Sequence, residues 1–233
     1  FSPIRGSFSR SFGSLMENMS LSFFTSGGII ASWFLGRQPI IVGKSMLVEK
    51  AALETFGGFG YFKDYLAEDF LIGEAFKKSG FRVSTNCTWV TNVSQTATLK
   101  SFFKRLSRWA KLRYHLRRPV YIAEILLNPI VVALAGWAAL GRRGATVLAA
   151  TVAVKVALEY ANFLFVNPED SRRLRNHLLF PAAVLVKDLV FLAVYLTPFF
   201  SRQVDWRGGR MAIGKNTLIH IPANVDNLVY EGA

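Results

Sequence analysis

The sequence contains a single cysteine, Cys87, among 233 residues. One thiol excludes an internal disulfide and a thiolate metal cluster, and it is typical of a domain that faces a reducing compartment. Histidine is nearly as scarce, and His115, His177 and His220 do not have the spacing of metal ligands. Residues 1–10 lack the apolar core of a signal peptide, and we expect the chain to begin inside a longer protein.

Acidic residues are few relative to basic ones. Fifteen Asp and Glu stand against 28 Lys and Arg, which gives a formal net charge of +13. A surplus of this size suits either nucleic acid or the anionic cytoplasmic face of a bilayer. Because 52% of the residues are hydrophobic and the apolar excess lies after Val120, the composition favours a membrane partner and no nucleic acid. The sequence therefore predicts an aqueous front half and a membrane-embedded back half.

Three apolar stretches make up the back half, at 120–140, 145–166 and 178–200. The first two are each long enough for a hydrocarbon core of about 30 Å at about 1.5 Å per residue, and their short link predicts a helical hairpin. The third carries Lys187 and Asp188 in its middle. Because charges are costly at that depth, this stretch either packs against protein or a wet cavity, or lies partly in the interface. The pattern predicts two or three membrane segments.

The front half has the pattern of an α/β domain with short elements. In chain order we expect helix 16–35, a strand pair within 39–48, helix 48–56, helix 68–79, strand 81–84 and helix 98–118. Gly80 is placed to end the helix before it. The last of these helices is rich in Lys and Arg with interleaved aromatic side chains, which is typical of a helix in the membrane interface.

Two groups of residues could carry chemistry. Glu68 and Asp69 open a predicted helix, whose N-terminus favours ionised carboxylates. They could also do no more than cap that helix. Arg105 and Arg108 are three residues apart and so share a helix face, with Trp109 adjacent. Arginine recognises phosphate oxygens and an indole can cover a sugar or lipid, although a basic face that binds headgroups would look the same.

The combination of these motifs, in order, resembles a known family. The matching motifs are Gly43-Lys44-Ser45-Met46, Ala67-Glu68-Asp69-Phe70, Arg105-x-x-Arg108-Trp109 and Val204-Asp205-Trp206-Arg207-Gly208-Gly209-Arg210. They resemble the membrane-bound, lipid-directed glycosyltransferases of the ceramide glucosyltransferase type and their bacterial relatives. The likeness runs through nearly the whole chain. It departs from the family at Arg105, where the usual residue is Gln, and in the absence of the nucleotide-binding front with its Asp-x-Asp metal ligands.

This resemblance implies a fold class of α/β plus membrane helices, with the C-terminal part of a GT-A type nucleotide-sugar transferase domain. The implied regions are the catalytic part at 1–97, a basic interfacial helix at 98–119, a transmembrane region at 120–200 and a basic tail at 201–233. It also implies an integral membrane protein whose catalytic domain faces the cytoplasm. The tail is expected to fold back near the catalytic groups, or to serve only as an interface anchor.

The implied reaction moves a hexose, with glucose the expected sugar, from a UDP-sugar donor to the hydroxyl of a membrane lipid such as ceramide, with inversion. The resemblance assigns Asp69 as the base, supported by Glu68. It assigns Arg105 and Arg108 to the donor diphosphate. A divalent metal, Mg or Mn, is expected as cofactor, with ligands that precede Phe1.

The same resemblance places Trp109 and Trp206 at the acceptor. Three alternatives stay open at this point. A hopanoid-lipid transferase with an N-acetylglucosaminyl-type donor would share these motifs, because the donor is largely recognised by the missing front. A processive polysaccharide synthase would need more membrane spans. A non-catalytic membrane scaffold would tolerate replacement of Asp69 and Arg108.

Overall fold

The computed structural model describes residues 1–36, 40–206 and 209–220. The front half comprises β1 Ile4–Ser7, α1 Phe12–Met19, a π-helical segment Ser20–Thr25, α2 Ser26–Gly36, α3 Lys50–Thr55, α4 Gly58–Phe62, α5 Glu68–Lys78, β2 Val90–Val93 and α6 Leu99–Leu116. The back half comprises α7 Arg118–Glu124, a 3-10 turn Ile125–Leu127, α8 Pro129–Leu140, α9 Arg142–Val166, α10 Pro168–Ser171, α11 Leu174–Phe200, β3 Gln203–Trp206, β4 Gly209–Ile213, a second 3-10 turn Lys215–Thr217 and β5 Ile219–His220. The chain is therefore mostly helical.

Two small sheets complete the described fold. β1 and β2 pair in parallel, with Ile4 opposite Val90, and β3, β4 and β5 form an antiparallel sheet in that order. The predicted strand pair within 39–48 is wrong for its described part, since residues 40–48 form a loop with a turn at 43–45. The strand that does form, β2, lies later in the sequence. It pairs with β1, more than 80 residues away, so no local pattern indicated it.

The predicted strand at 81–84 is also wrong, because Phe81 belongs to the end of α5. The Phe81 amide donates to the Phe76 carbonyl at 3.0 Å and the Gly80 amide to the Lys77 carbonyl at 3.1 Å, with Gly80 at φ +82°. This is a Schellman ending, and the accompanying contact joins the Phe81 and Phe76 rings, 5.4 Å apart. The helix predicted at 68–79, with Gly80 as its stop, is confirmed.

α6 is the central helix of the front half. Its N-cap Thr98 forms a reciprocal capping box with Ser101, so local sequence determines where the helix begins. Phe102, Leu106 and Ala110 are buried in a core shared with α1 and α11. The apolar stripe of this basic helix therefore packs on protein and leaves the Lys and Arg residues on the other faces.

Among the described residues, two helices, α9 and α11, are long and apolar enough to cross a membrane, or three segments if a bent pair counts as one span. The bent pair is α7 with its 3-10 turn and α8, which meet at 63°. Residues 120–140 do not form one continuous helix, because Pro129 cannot donate a helical hydrogen bond and Asn128 starts a new helix by accepting from the Ile130 amide. The hairpin of α8 and α9 is confirmed at Gly144, where an added Cβ would lie 2.5 Å from the Gly136 carbonyl oxygen.

The charges of the third apolar stretch are buried against α9. Lys187 Nζ lies 3.0 Å from Glu159 Oε1 and 3.3 Å from Asp188 Oδ1, and Lys155 pairs with both carboxylates. The four residues carry two positive and two negative charges. Of the two arrangements expected for this stretch, the structure shows packing against protein at Lys187 and Asp188.

Candidate active site

Asp69 is held in the first turn of α5 by two backbone amides. The Gly43 amide donates to Asp69 Oδ2 at 2.6 Å, and the Phe70 amide donates to Oδ1 at 2.7 Å. An added Cβ on Gly43 would lie 3.0 Å from the Asp69 Cβ, so a glycine allows this close approach. Burial raises the pKa of Asp69 above its ordinary value, and the hydrogen bonds from Gly43 and Phe70 oppose this rise. The carboxylate is thus fixed in direction and weakly hydrated.

A cluster of three cations lies beside the loop that holds Asp69. Lys44, next to Gly43, interacts electrostatically with Arg105 and Arg108 of α6, and partial desolvation together with these two guanidinium groups lowers its pKa. Lys44 Nζ donates to Asn92 Oδ1 at 2.9 Å. Arg105 forms an ion pair with Glu17, whose side chain is 3% exposed. The cluster therefore combines three positive charges with one buried carboxylate.

Arg108 differs from the other two cations in its partners. Within the described residues it forms no hydrogen bond and no ion pair, although it is half-buried. Burial, followed by repulsion from Arg105, lowers its pKa. None of its nitrogens is among the fully buried polar atoms without a hydrogen-bond partner, so the guanidinium keeps contact with solvent. Arg108 is therefore the cation of the cluster whose guanidinium has no protein partner among the described residues.

Arg108 also lines a cavity of about 260 Å³ between α6 and the segment that follows α11. The cavity is lined by Phe103, Lys104, Ser107, Arg108, Lys111, Ser201, Gln203, Val204, Asp205 and Arg210. Asp205 pairs with Lys104 at 3.2 Å and with Arg210 at 3.5 Å, and Lys111 Nζ donates to the Gln203 carbonyl at 2.6 Å. The tail thus returns to α6, which agrees with the first of the two arrangements expected for it.

The remaining predicted site residues lie at different distances from this centre. Glu68 is exposed at the start of α5. Trp109 packs at the edge of the main hydrophobic core, and its contact with an acceptor stays a prediction. Trp206 ends β3, with its backbone opposite Gly209, and its side chain lies outside the described residues, as do Arg207 and Gly208.

Three residues at this site were not assigned a role from the sequence. Lys44 stood in a motif without a function, and Glu17 is a lone carboxylate in an apolar helix, a pattern that signals a buried pair. Thr217, far along the chain, accepts a hydrogen bond from the Ala67 amide directly before Glu68. Among the described residues, no group of three or more His, Cys, Asp or Glu side chains could hold a metal ion.

Comparison with known proteins defines the class of the molecule as a glycosyltransferase. The chain belongs to Glycosyl transferase family 21, whose family model matches residues 1–219. It is similar to ceramide glucosyltransferase 1 of Caenorhabditis elegans, with 33% identity over 84 residues, and to ceramide glucosyltransferase 3 of the same organism, with 31% identity over 84 residues. Each match covers 36% of this chain and 18% of the relative. No solved structure matches the chain at a significant level.

Proposed function

We propose that this protein transfers a hexose, glucose in the first instance, from a UDP-sugar to the hydroxyl of a membrane lipid such as ceramide, with inversion at the anomeric carbon. The chain would supply the C-terminal part of a GT-A type catalytic domain and its membrane attachment. The observation that carries the proposal is the position of Asp69, fixed through Gly43 directly beside Lys44 and its neighbours Arg105 and Arg108. A carboxylate next to surplus cations suits attack by a hydroxyl on an anionic donor.

Asp69 would act as the general base. As the lipid oxygen forms its bond to the anomeric carbon, the hydroxyl proton passes to the Asp69 carboxylate and the bond from that carbon to the diphosphate oxygen breaks. The electron pair leaves with UDP. The two amides that hold Asp69 restrict its orientation before the substrate arrives, which is the preorganisation such a step requires. Glu68, next to it on the same turn, would support or orient Asp69.

Arg108 would bind the donor diphosphate, with Arg105 and Lys44 assisting. Its guanidinium lacks a protein partner in the described part of the chain, and phosphate oxygens suit its planar donors. The ion pair with Glu17 instead holds the Arg105 side chain at the edge of the cluster. Charge that develops on the leaving diphosphate would be stabilised by groups that are already in position.

A divalent metal, Mg or Mn, remains part of the proposal. When bound, it would neutralise the donor diphosphate. The steps assigned to Asp69 and Arg108 do not depend on where its ligands lie. A lipid acceptor and a cytoplasmic catalytic face would follow from the membrane attachment, and Trp109 and Trp206 stay candidates for contact with the acceptor.

The test is transfer of radiolabelled glucose from UDP-glucose to ceramide in membranes that contain the full-length protein. We expect product from the wild type, a loss of at least about 100-fold in Asp69→Asn, a loss comparable in size in Arg108→Gln, and wild-type transfer by Asp64→Asn. Asp64 is the matched control because its exposed carboxylate lies five residues away, outside the site.

Other outcomes separate the alternatives. Transfer of N-acetylglucosamine to a hopanoid lipid would keep the mechanism and change the specificity. A growing polymer would indicate a processive synthase. No transfer from any nucleotide sugar to any lipid, or full activity in Asp69→Asn, would overturn the assignment of the site and favour a membrane scaffold.

A further inference from the structure

The last described segment, residues 209–220, returns to the start of α5, and we call it the return strap. It contains β4, the turn Lys215–Thr217 and β5. Its contacts with the loop before α5 are a hydrogen bond from the Ile219 amide to the Asp64 carbonyl (2.8 Å), one from the Leu66 amide to the Thr217 carbonyl (3.0 Å), one from the Ala67 amide to Thr217 Oγ1 (3.2 Å), and a β-bridge between Tyr65 and Leu218. The strap thus reaches the residue directly before Glu68.

α5 cannot fix its own first turn in the usual way. Its N-cap position is Ala67, whose methyl group accepts no hydrogen bond, so the helix has no side-chain cap from that residue. Instead, the Thr217 hydroxyl accepts a hydrogen bond from the Ala67 amide from outside the helix. The Gly43 amide, in the loop 40–48, donates to the Asp69 carboxylate. The first turn of α5 is therefore held between two segments that are distant in sequence.

Thr217 adopts an unfavourable backbone conformation to make this contact. Its φ is +68° and that of the preceding Asn216 is +53°, in the left-handed region that a β-branched residue rarely occupies. The Thr217 side chain is fully buried at 0% exposure. Strain of this kind persists where surrounding contacts over-determine it, and it tends to occur at functional sites. A glycine would relieve the strain but would lose the hydroxyl that accepts from Ala67.

The other end of this segment is attached to α6. β4 pairs with β3, and Asp205 of β3 forms an ion pair with Lys104, which lies one helical turn before Arg108. The turn Lys215–Thr217 also packs against α6. One continuous piece of chain therefore joins the helix that carries the cations to the helix that carries Asp69.

We propose that the return strap sets the position of the Asp69 carboxylate relative to the cations of α6, and that Thr217 is the positioning residue that acts through the Ala67 amide. This inference rests on the proposed function. Thr217 touches no reacting atom in this scheme. Its hydroxyl fixes the turn from which Asp69 projects, so its loss should affect the rate of the chemical step more than donor binding.

The experiment compares Thr217→Val, Thr217→Ser and the control Thr151→Val in the full-length protein. Valine keeps the branched shape and removes the hydroxyl, whereas serine keeps the hydroxyl. Among the described residues, the Thr151 hydroxyl donates only to the Val147 carbonyl of its own helix, so it controls for the substitution itself. We expect kcat to fall about tenfold or more in Thr217→Val, since a displacement of about 1 Å can cost about 100-fold, with the KM for the nucleotide sugar within about twofold.

Thr217→Ser and Thr151→Val should keep kcat within about twofold of the wild type. A wild-type kcat in Thr217→Val, or an equal loss in Thr217→Ser, would overturn the proposal. A loss confined to protein yield, with normal kcat per folded molecule, would show that Thr217 serves folding alone and would also overturn it.

Hydrogen exchange separates this inference from the proposed function. Thr217→Val should raise the exchange rate of the Ala67 amide while leaving α9 unchanged, because that amide loses the Thr217 hydroxyl as its acceptor, whereas the Leu66 amide keeps the Thr217 carbonyl. If the wild type transfers no sugar, the proposed function fails, and the exchange data still decide whether the strap holds α5. Unchanged exchange at the Ala67 amide would contradict the role of Thr217 whatever the activity.

Discussion

Replacement of Lys187 by methionine should strongly destabilise the packing of α11 on α9. Lys187 is 2% exposed, and its ammonium lies 3.0 Å from Glu159 Oε1 and 3.3 Å from Asp188 Oδ1. Methionine has a similar length and no charge, so it fills the space but leaves the carboxylates. Lys155 then remains as the one cation beside Glu159 and Asp188, and the net charge of these groups changes from zero to −1.

The magnitude follows from the geometry of the network. At an effective dielectric constant of about 20, each contact of Lys187 contributes roughly 5 kcal/mol of Coulomb attraction. The desolvation of the buried ammonium offsets a large part of this, and the loss of one partner from a buried ion pair typically costs about 3–5 kcal/mol. Lys155 remains 3.4 Å from Asp188 Oδ2 and near Glu159. We therefore expect a cost toward the lower end of that range, about 3 kcal/mol.

The assay is thermal or denaturant unfolding of the full-length protein in detergent, and the loss of monodisperse protein is the quantity measured. The control is Lys50→Met, because Lys50 forms a 3.7 Å pair with Glu54 at the surface and should contribute about 0.5 kcal/mol or less. The double variant Lys187→Met with Glu159→Met keeps Lys155 paired with Asp188 and should be more stable than the single variant. A single variant within about 1 kcal/mol of the wild type, or a double variant that is no better, would refute the reasoning.

Three further predictions test the site and its supports. Burial raises the pKa of Asp69, and a general base must be ionised, so transfer should be lost as the pH falls through a pKa above the ordinary aspartate value of 3.8. A pH profile of kcat/KM measures this, and an acid limb at or below 3.8 would contradict it. Thr98→Ala should cost about 1 kcal/mol by removing the acceptor of the Ser101 amide, and Thr98→Ser should restore it in the same unfolding assay. Gly144→Val should cost about 1–3 kcal/mol or prevent folding, whereas Gly136→Ala, whose Cβ meets nothing within 4 Å, should be tolerated; equal stability of the two variants would count against the packing of α8 on α9.

Local signals were sufficient to predict the helices that frame the site. Gly80 ends α5 and the Thr98–Ser101 box begins α6, and each depends on residues within one helical turn. The sequence also indicated Asp69 and Arg108 as candidates, through a resemblance in motif order. What could not be predicted depends on contacts between distant residues. β2 was missed because its partner is β1, and Phe81 was placed in a strand because its alternating pattern gave no sign that its ring completes the end of α5.

The same reason explains why the supports of the site were overlooked. Glu17 reaches Arg105 across 88 residues, and Thr217 reaches Ala67 across 150. No pattern within a short window connects such residues. Thr217 also adopts a positive φ that its residue type disfavours, so local preference points away from the observed turn. The motif residues were found because each lies in a short segment, whereas the segments that position them are joined only by the fold.

The contacts of the front half also constrain how the chain passes through a membrane. Asp170, between α9 and α11, accepts hydrogen bonds from the Ser9 amide and hydroxyl, and Asp205, after α11, pairs with Lys104. If the front half lies on one side, the chain makes an even number of crossings before Asp170 and an even number after it. The bent pair α7–α8 and α9 would then be one outward and one returning crossing.

By the same parity α11 would not cross at all, although its length and apolar composition would allow a span. It would lie along α1 and α6, with Lys187 and Asp188 turned toward α9 rather than toward lipid. In inside-out vesicles, the native Cys87 and a cysteine placed at Ser201 should therefore react with the same impermeant maleimide, and a cysteine at Gly141 should not. Protection of Ser201→Cys would show that α11 crosses after all and that the contacts between tail and front half are made differently. Labelling of Gly141→Cys together with Cys87 would show instead that the bent pair α7–α8 does not cross.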